Sequence, residues 1–359
     1  MASLGYGQEM LLQDQLQRKG STLRMTPSSR VWPLLAIVLI SLACLSVAQG
    51  EECQTATDMD AATRTALSNA GQKYFDMIAR GDTASLKQNS IPAIAADFAG
   101  IEGTVKDHQK ELSGTRATAR PPFLLEASGT AAIPHAEFFC GVFGKTGQTA
   151  DSAAFYLNNL PPGKYGIILL DAASAKPPET VSLILQQAGT DWKLGGLYIK
   201  SLQFGGHDST WFAARAREYK AKGQIHNAWF YFLEARELIS PLPFMSTAAT
   251  DKLYDESQGM QPPDVPVEGK PVSLGAGTAN YQLTALFPQA VENDLDLIVR
   301  YSASDISNTN QTYASNIAVM KAVLTKYPEV RDAFAAVVAR AVDPSGRDYG
   351  TMLAMKDIK

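Results

Sequence analysis

The chain has few of the residues from which catalytic and metal sites are most often built. It holds three cysteines and four histidines in 359 residues. It contains no His-Glu-x-x-His, Gly-x-Ser-x-Gly or Cys-x-x-Cys motif and no Gly-rich phosphate loop. These absences argue against a zinc site, Ser-His catalysis and nucleotide binding, and we expect neither a metal nor a cofactor. The histidines stand far apart in the sequence, at His108, His135, His207 and His226.

Charged residues are also few, and the net charge is small. Charged residues make up 19% of the chain and hydrophobic residues 45%, a composition typical of a folded protein. The formal net charge is −4, and removal of residues 1–48, which hold four basic and two acidic side chains, makes it −6. Without a basic stripe, a nucleic-acid partner is not expected.

Only one long apolar run occurs, Val31–Val47, after Arg30 and before Ala48. Together with the small residues near its end, it is typical of a secretory signal peptide, so we expect cleavage after Ala48. About 30 residues precede the run, which makes Met25 a better candidate for the true start. The alternatives are an uncleaved anchor and a lipoprotein attached through Cys44. The mature protein is expected to be periplasmic or extracellular, without stable membrane insertion.

Two cysteines remain after this cleavage, Cys53 and Cys140. In an oxidising compartment an even number of cysteines favours a disulfide, which would join the mature N-terminus to the strand that carries Cys140. The alternative is a pair of buried free thiols.

Residues 55–204 begin with helical periodicity and end with strand periodicity, which predicts an α+β domain with helices on a curved antiparallel sheet. Its last element, Glu179–Lys200, reads as a β-hairpin around a turn at Ala188–Asp191, with Trp192 either packed on the helices or stacked on a ligand. The other predicted helices are Ala61–Arg80, Ala84–Gln88 and Ile91–Leu112, and the other predicted strands are Phe123–Ala127, His135–Phe143, Ala153–Leu157 and Tyr165–Leu170.

Two segments carry a family resemblance. Tyr74–Leu86, an aromatic helix that ends in Gly-Asp, and the closing hairpin around Gly189–Leu194 resemble the nuclear-transport-factor-like, cystatin-like cone. The resemblance implies a bent sheet with a pocket on its concave face, used for binding or, in the enzymes of that fold, for proton transfer by an Asp with a His or Tyr. The matching candidates are Asp76, His135 and Tyr156. Alternatively, His135 lies on a solvated strand face and Tyr156 packs the core.

Residues 208–260 return to helical periodicity and predict a helical-hairpin connector, Trp211–Lys222 and Ile225–Ile239, followed by a helix over Ser246–Glu256. The spacing of small and large residues resembles one tetratricopeptide unit. A single unit does not form a solenoid, so we expect the hairpin to dock on the cone. Its aromatic residues form either a domain interface or a partner groove, and the candidate binding residues are Trp211, Trp229, Phe230 and Tyr231.

Residues 261–271 form a Pro-rich linker, and residues 272–359 are predicted to form a small ββαββ domain. Phe334–Val342 fits a helix by spacing, but its valines and the following Asp-Pro-Ser-Gly turn favour a strand. The other predicted elements are the strands Tyr281–Ala290, Asp294–Tyr301 and Tyr349–Met355 and the helix Gln311–Tyr327.

Taken together, these features favour an exported bacterial protein that binds a protein or a small apolar ligand without catalysing a reaction. The alternative is an isomerase-like or hydratase-like enzyme that uses the pocket of the cone. A third hypothesis is a structural envelope component that forms a homodimer through the open face of the sheet.

Overall fold

The structure is a computed structural model that describes residues 51–143, 147–267, 269–291 and 294–359. The expected signal peptide therefore lies outside the described residues. Within those ranges the fold is α+β, and none of the helices is long and apolar enough to cross a membrane.

Eight α-helices and sixteen strands make up the described chain. The helices are α1 (Ala61–Ala79), α2 (Thr83–Gln88), α3 (Pro92–Ala96), α4 (Ala99–Leu112), α5 (Ser209–Ala221), α6 (Ile225–Ile239), α7 (Ala248–Gln258) and α8 (Thr309–Lys326). The strands are β1 (Glu51–Gln54), β2 (Thr118–Ala119), β3 (Phe123–Ala127), β4 (Ile133–Cys140), β5 (Ala153–Leu160), β6 (Gly163–Ala172), β7 (Glu179–Ala188), β8 (Asp191–Ser201), β9 (Gln203–Phe204), β10 (His207–Asp208), β11 (Met245–Thr247), β12 (Val272–Ala276), β13 (Ala279–Val291), β14 (Asp294–Ser302), β15 (Ala336–Val342) and β16 (Asp348–Ala354).

The first sheet is antiparallel, in the order β1-β3-β6-β7-β8, with β2 paired to β6. Its closing hairpin, β7 and β8, turns at Gly189, whose φ of +64° is a conformation that glycine adopts without steric cost. Helices α1 to α4 cover one face of this sheet. The predicted helix Ile91–Leu112 is divided into α3 and α4 at Asp97, whose φ of −124° is not helical.

The other face of the first sheet is also covered. Alternation along β3 sends Leu124 to the helices and Phe123 and Leu125 to the opposite side, where Phe138 of β4 and Phe155 of β5 pack on them. Strands β4 and β5 pair with β11 in a separate three-stranded sheet. Side chains therefore cover this second face of the first sheet, and the homodimer hypothesis stays a prediction.

Cys53 of β1 and Cys140 of β4 lie at disulfide distance, with their Cα atoms 5.1 Å apart. Because β1 belongs to the first sheet and β4 to the three-stranded sheet, the pair joins the two layers where their cores meet.

Helices α5 and α6 pack mainly on the C-terminal sheet, and not on the first domain as expected. Tyr219 and Tyr231 donate hydrogen bonds to the carbonyl oxygens of Asp332 and Ala333, at 3.0 and 2.9 Å. The hairpin shares one core with β13, β14, β15 and α8. It also touches the first sheet, since Ser182 donates a hydrogen bond to the carbonyl oxygen of Pro241 just after α6.

The C-terminal sheet has the order β12-β13-β14-β15-β16. It contains β12, one strand more than the expected ββαββ arrangement. Phe334–Val342 provides β15, which runs parallel to β14 because α8 carries the chain back across the sheet.

Candidate functional site

The three residues proposed for catalysis lie on different elements and have separate partners. Asp76 is exposed on α1 and accepts a hydrogen bond from Gln72 at 2.8 Å. His135 is exposed on β4 and lies 2.9 Å from the amide oxygen of Asn158. Tyr156 is half-buried on β5, where burial, followed by the charge of Glu137, raises its pKa. Asp76 belongs to the helix layer, whereas His135 and Tyr156 belong to the three-stranded sheet on the other side.

The four proposed binding aromatics are divided by burial. Trp229, Phe230 and Tyr231 are at most 7% exposed and pack inside the core that the hairpin shares with the C-terminal sheet. This placement is the domain interface, the first of the two alternatives stated above. Trp211 differs, because 38% of its surface is exposed. Of the four, Trp211 alone offers a large exposed area.

A cavity of about 250 Å³ lies where β8, α4, α6 and β13 meet. We call it the Glu234 cavity. The residues that line it come from distant parts of the chain, and they include both apolar and ionisable side chains. The lining residues are His108, Ile199, Lys200, Ser201, Gln203, Phe204, Glu234, Glu237, Leu238 and Ala290.

Helix α6 supplies two acids to this cavity, Glu234 and Glu237. They are three residues apart and so lie on the same helix face, which also carries Leu238. Glu237 forms an ion pair with Lys200 of β8, and both side chains are largely buried. That ion pair joins the connector to the first sheet.

Helix α4 and strand β7 supply the second pair. The Nδ1 atom of His108 lies 2.7 Å from Oε1 of Glu179, a residue only 2% exposed. Burial lowers the pKa of His108, but the hydrogen bond and charge of Glu179, with Glu111 and Asp107 nearby, outweigh it and raise the pKa overall. A carboxylate that holds one imidazole nitrogen also fixes the orientation of the ring.

Glu234 differs from Glu179 and Glu237 in forming no ion pair with a described residue, and it shares with Glu179 a buried oxygen that has no hydrogen-bond partner. It is 1% exposed, and no described residue gives its Oε1 atom a hydrogen bond. Burial, followed by the charge of Glu237, raises its pKa to about 8, although Lys200 lowers it. At neutral pH this carboxyl group is mostly protonated, and it becomes an anion readily if a cation or a hydrogen-bond donor enters the cavity.

A second cavity, of about 240 Å³, adjoins the first. Phe204 lines both cavities, and Ala290 of the first is the cross-strand partner of Leu295 in the second. The wall of the second cavity is aromatic, because His207 and Trp211 stack with their ring centroids 3.7 Å apart. We call it the Trp211 cavity.

A larger groove of about 630 Å³ lies between β12 and α8. Two lysines, Lys321 and Lys326, line it. The buried carboxylate oxygens that lack a partner among the described residues belong to Glu111, Glu179 and Glu234, and none of these acids lines the groove. Size alone therefore does not make it the better site.

Sequence reasoning missed Glu234, Glu237, Lys200 and His108 as a group. Each resembles an ordinary surface residue in its own segment, since charged side chains are rarely buried. One signal was present: α6 is apolar on nearly all sides, so an acid at its centre could not avoid burial.

Within the described ranges, no group of three or more His, Cys, Asp and Glu side chains is placed to hold a metal ion. A scan against protein-family models and searches of curated proteins and of solved structures returned no match to this chain.

Proposed function

We propose that this protein is an exported, non-enzymatic binding protein that holds a small molecule in the Glu234 cavity. One observation carries the proposal: Glu234 is buried, lines the cavity and has an Oε1 atom without a described hydrogen-bond partner. A buried carboxyl oxygen without a partner costs about 1–3 kcal/mol, and a bound ligand that donates a hydrogen bond would remove that cost.

The position of the cavity supports the same proposal. Ligand sites are commonly found where separate structural units meet and where a few polar groups converge on an apolar wall. Here β8 contributes Lys200, α4 contributes His108 and α6 contributes Glu234, while Ile199 and Leu238 are apolar. At about 30 Å³ per water-sized group, the volume of about 250 Å³ suits a molecule of roughly eight non-hydrogen atoms.

Binding is tested with a mixed fragment library, by ligand-observed NMR on the wild type and two variants. Ala290→Phe fills the Glu234 cavity, whereas Ala318→Phe fills the groove between β12 and α8 and serves as the matched control, since both alanines are half-buried. We expect fragments whose signals are lost with Ala290→Phe and retained with Ala318→Phe. Fragments that bind both variants alike, or none that bind the wild type, would contradict the proposal.

Export is tested separately. Mass spectrometry of the protein from the periplasmic fraction of its bacterial host should find Gln49 as the first residue. A chain that begins at Met1 or Met25 in that fraction would contradict cleavage after Ala48.

A specific observation favours a second candidate, proton transfer by an isomerase-like or hydratase-like enzyme. Glu234, with a pKa of about 8, and His108, oriented by Glu179, are an acid and a base that line the same cavity. These residues differ from Asp76, His135 and Tyr156. Incubation of a bound fragment in D₂O distinguishes the two functions, since an enzyme would exchange a carbon-bound proton and Glu234→Gln would abolish the exchange. Binding without exchange favours the non-enzymatic proposal.

A further inference from the structure

The charges of the two ion pairs beside Glu234 are balanced while Glu234 is neutral and His108 is protonated. Glu237 is paired with Lys200, and Glu179 is paired with His108. Ionised Glu234 would add a negative charge that no described cation neutralises by an ion pair. Farther along α4, Glu111 and Asp107 are also acidic and act on His108.

A ligand that donates a hydrogen bond would satisfy the free oxygen of Glu234 as an acceptor, whereas a ligand that accepts one would need the carboxyl proton to lie on that oxygen. A neutral hydroxyl would donate such a bond, but a protonated amine would also supply the missing positive charge. Hydrogen bonds with an ionised partner are about twice as strong as neutral ones, which favours the amine.

The adjoining Trp211 cavity indicates what the rest of the ligand looks like. Five of its lining residues carry rings: Phe204, Phe212, Tyr231 and the stacked pair of His207 and Trp211. The other five are Gly205, Asp294, Leu295, Ala333 and Ala335. Trp211 keeps 38% of its surface exposed although it lies beside this apolar wall. Exposed aromatic area of this kind binds planar groups through stacking or edge contacts.

On these grounds, and resting on the proposed function, we infer that the ligand is a small organic amine that carries a planar ring. Its ammonium group lies against Glu234, and its ring crosses Phe204 towards Trp211. The inference assigns a chemical class to each of the two adjoining cavities.

Binding of a cation has a measurable consequence, release of the Glu234 proton. A group with a pKa of about 8 is roughly 90% protonated at pH 7, so amine binding should release up to about 0.9 proton per protein. The other charged or titratable groups that line the cavity are Glu237 from the same helix, Lys200 from β8 and His108 from α4. Each is already paired, Glu237 with Lys200 and His108 with Glu179, and should change little. This release is measured on the wild type by calorimetry in buffers of different ionisation enthalpy.

Four probes separate the contributions of charge and ring: 2-phenylethylamine, its neutral analogue 2-phenylethanol, the ring-free butylamine and the anion 3-phenylpropionate. We expect 2-phenylethylamine to bind most tightly and the anion most weakly. Only the two amines should release a proton.

Three variants assign the contacts. Glu234→Gln keeps the shape but not the charge, and should weaken 2-phenylethylamine about tenfold and abolish proton release while 2-phenylethanol changes little. Trp211→Ala should weaken 2-phenylethylamine about fivefold without affecting butylamine. Tyr313→Ala is the control, because it removes an exposed ring on α8 outside both cavities. It should change neither the affinity for 2-phenylethylamine nor the affinity for butylamine.

The outcomes distinguish this inference from the proposed function. If 2-phenylethanol binds as tightly as 2-phenylethylamine, or amine binding releases no proton, the ligand class is wrong, while a cavity that still takes fragments keeps the binding function. If no probe and no fragment binds, both are wrong. Because proton release is read on the wild type, the test holds even if a variant fails to fold.

Discussion

Two regions of the molecule combine histidine with carboxylates, and they differ in whether a buried carboxylate oxygen lacks a partner among the described residues. In the first, His226 contacts Glu329 through Nδ1 at 2.5 Å and Asp264 through Nε2 at 2.9 Å, so both ring nitrogens are used. In the second, the Glu234 cavity, His108 is held by Glu179 but Glu234 has a free oxygen.

We propose that this difference separates polar groups that hold the fold together from those that bind a ligand. The His226 cluster fixes the start of α6 to the turn after α8, and Asn227 adds a hydrogen bond to the carbonyl oxygen of Glu329 at 2.6 Å. The bonds to both imidazole nitrogens stabilise one packing arrangement, although the buried Oδ1 atom of Asn227 has no partner among the described residues. An unpartnered buried acid beside a cavity destabilises the protein, and that cost is reasonable only where the group meets something else. The following predictions test this distinction, beginning with the largest effect.

Loss of the Cys53–Cys140 pair should cause the largest decrease in the free energy of unfolding. The two cysteines are 87 residues apart, and a disulfide that closes a loop of this length stabilises a protein by about 4 kcal/mol. The double variant Cys53→Ser/Cys140→Ser should lose that amount in denaturant unfolding under oxidising conditions. Equal unfolding midpoints for variant and wild type would mean that the two layers do not depend on this link.

Removal of the His226 ring should cost stability without affecting binding. His226→Ala leaves Glu329 without its imidazole partner, and we expect a loss of about 2 kcal/mol in the free energy of unfolding. His135→Ala, which removes an exposed histidine bound only to Asn158 among its described partners, is the control and should cost under about 0.5 kcal/mol. If His226→Ala is as stable as the wild type, the His226 cluster does not stabilise the fold.

Glu234 should make stability depend on pH. Its pKa is raised to about 8 in the folded protein from 4.5, so folding takes up a proton between these values and stability falls as pH rises through this window. Glu234→Gln should remove the contribution of Glu234 to this fall in stability. At pH 8 the variant should therefore be more stable than the wild type by at least about 1.4 kcal/mol, the equivalent of one pKa unit.

Thermal unfolding from pH 5 to pH 8.5 measures this effect. His108 acts in the same direction, because its raised pKa contributes stability below about pH 6.5 that is lost as pH rises through its folded value. The stability of Glu234→Gln should therefore still fall as pH rises, but by less than that of the wild type. A variant with the same pH profile as the wild type would show that Glu234 is already satisfied.

The smallest effect is expected for a pair that is fully bonded but exposed. Arg217 donates two hydrogen bonds of 2.7 Å to Glu256, and both side chains are accessible to water. Exposed ion pairs contribute about 0.2–1 kcal/mol. A double-mutant cycle with Arg217→Ala and Glu256→Ala should give a coupling in this range that shrinks in 0.5 M salt, and a larger coupling would mean that geometry outweighs burial in this protein.

Much of the local structure could be predicted from the sequence. Helix α6 has the predicted bounds, Ile225–Ile239, and strand β3 has the predicted bounds, Phe123–Ala127. The hairpin of β7 and β8 turns within the predicted Ala188–Asp191 segment. These elements depend on periodicity and turn residues, which neighbouring positions in the chain determine.

The arrangement of those elements was less predictable. The sequence predicts β4 and β5 in a single meander with the other strands, but they pair with each other outside the first sheet, and β5 also pairs with β11, which begins 85 residues after β5 ends. Strand β12 was missed altogether. Pairing partners at such distances compete with nearer ones, and the choice depends on which faces are left to bury.

The sequence by itself determined the α+β class, the approximate positions of the longer helices and strands and which two cysteines could pair, because these follow from local periodicity and from residue counts. Only the tertiary structure decided that His108, Lys200 and Glu234 share one cavity, since they come from three elements that are distant in the chain. It also decided that Glu234 is buried without a partner. A carboxyl group is hydrated in any isolated helix, and its pKa and its role change only when packing removes the water.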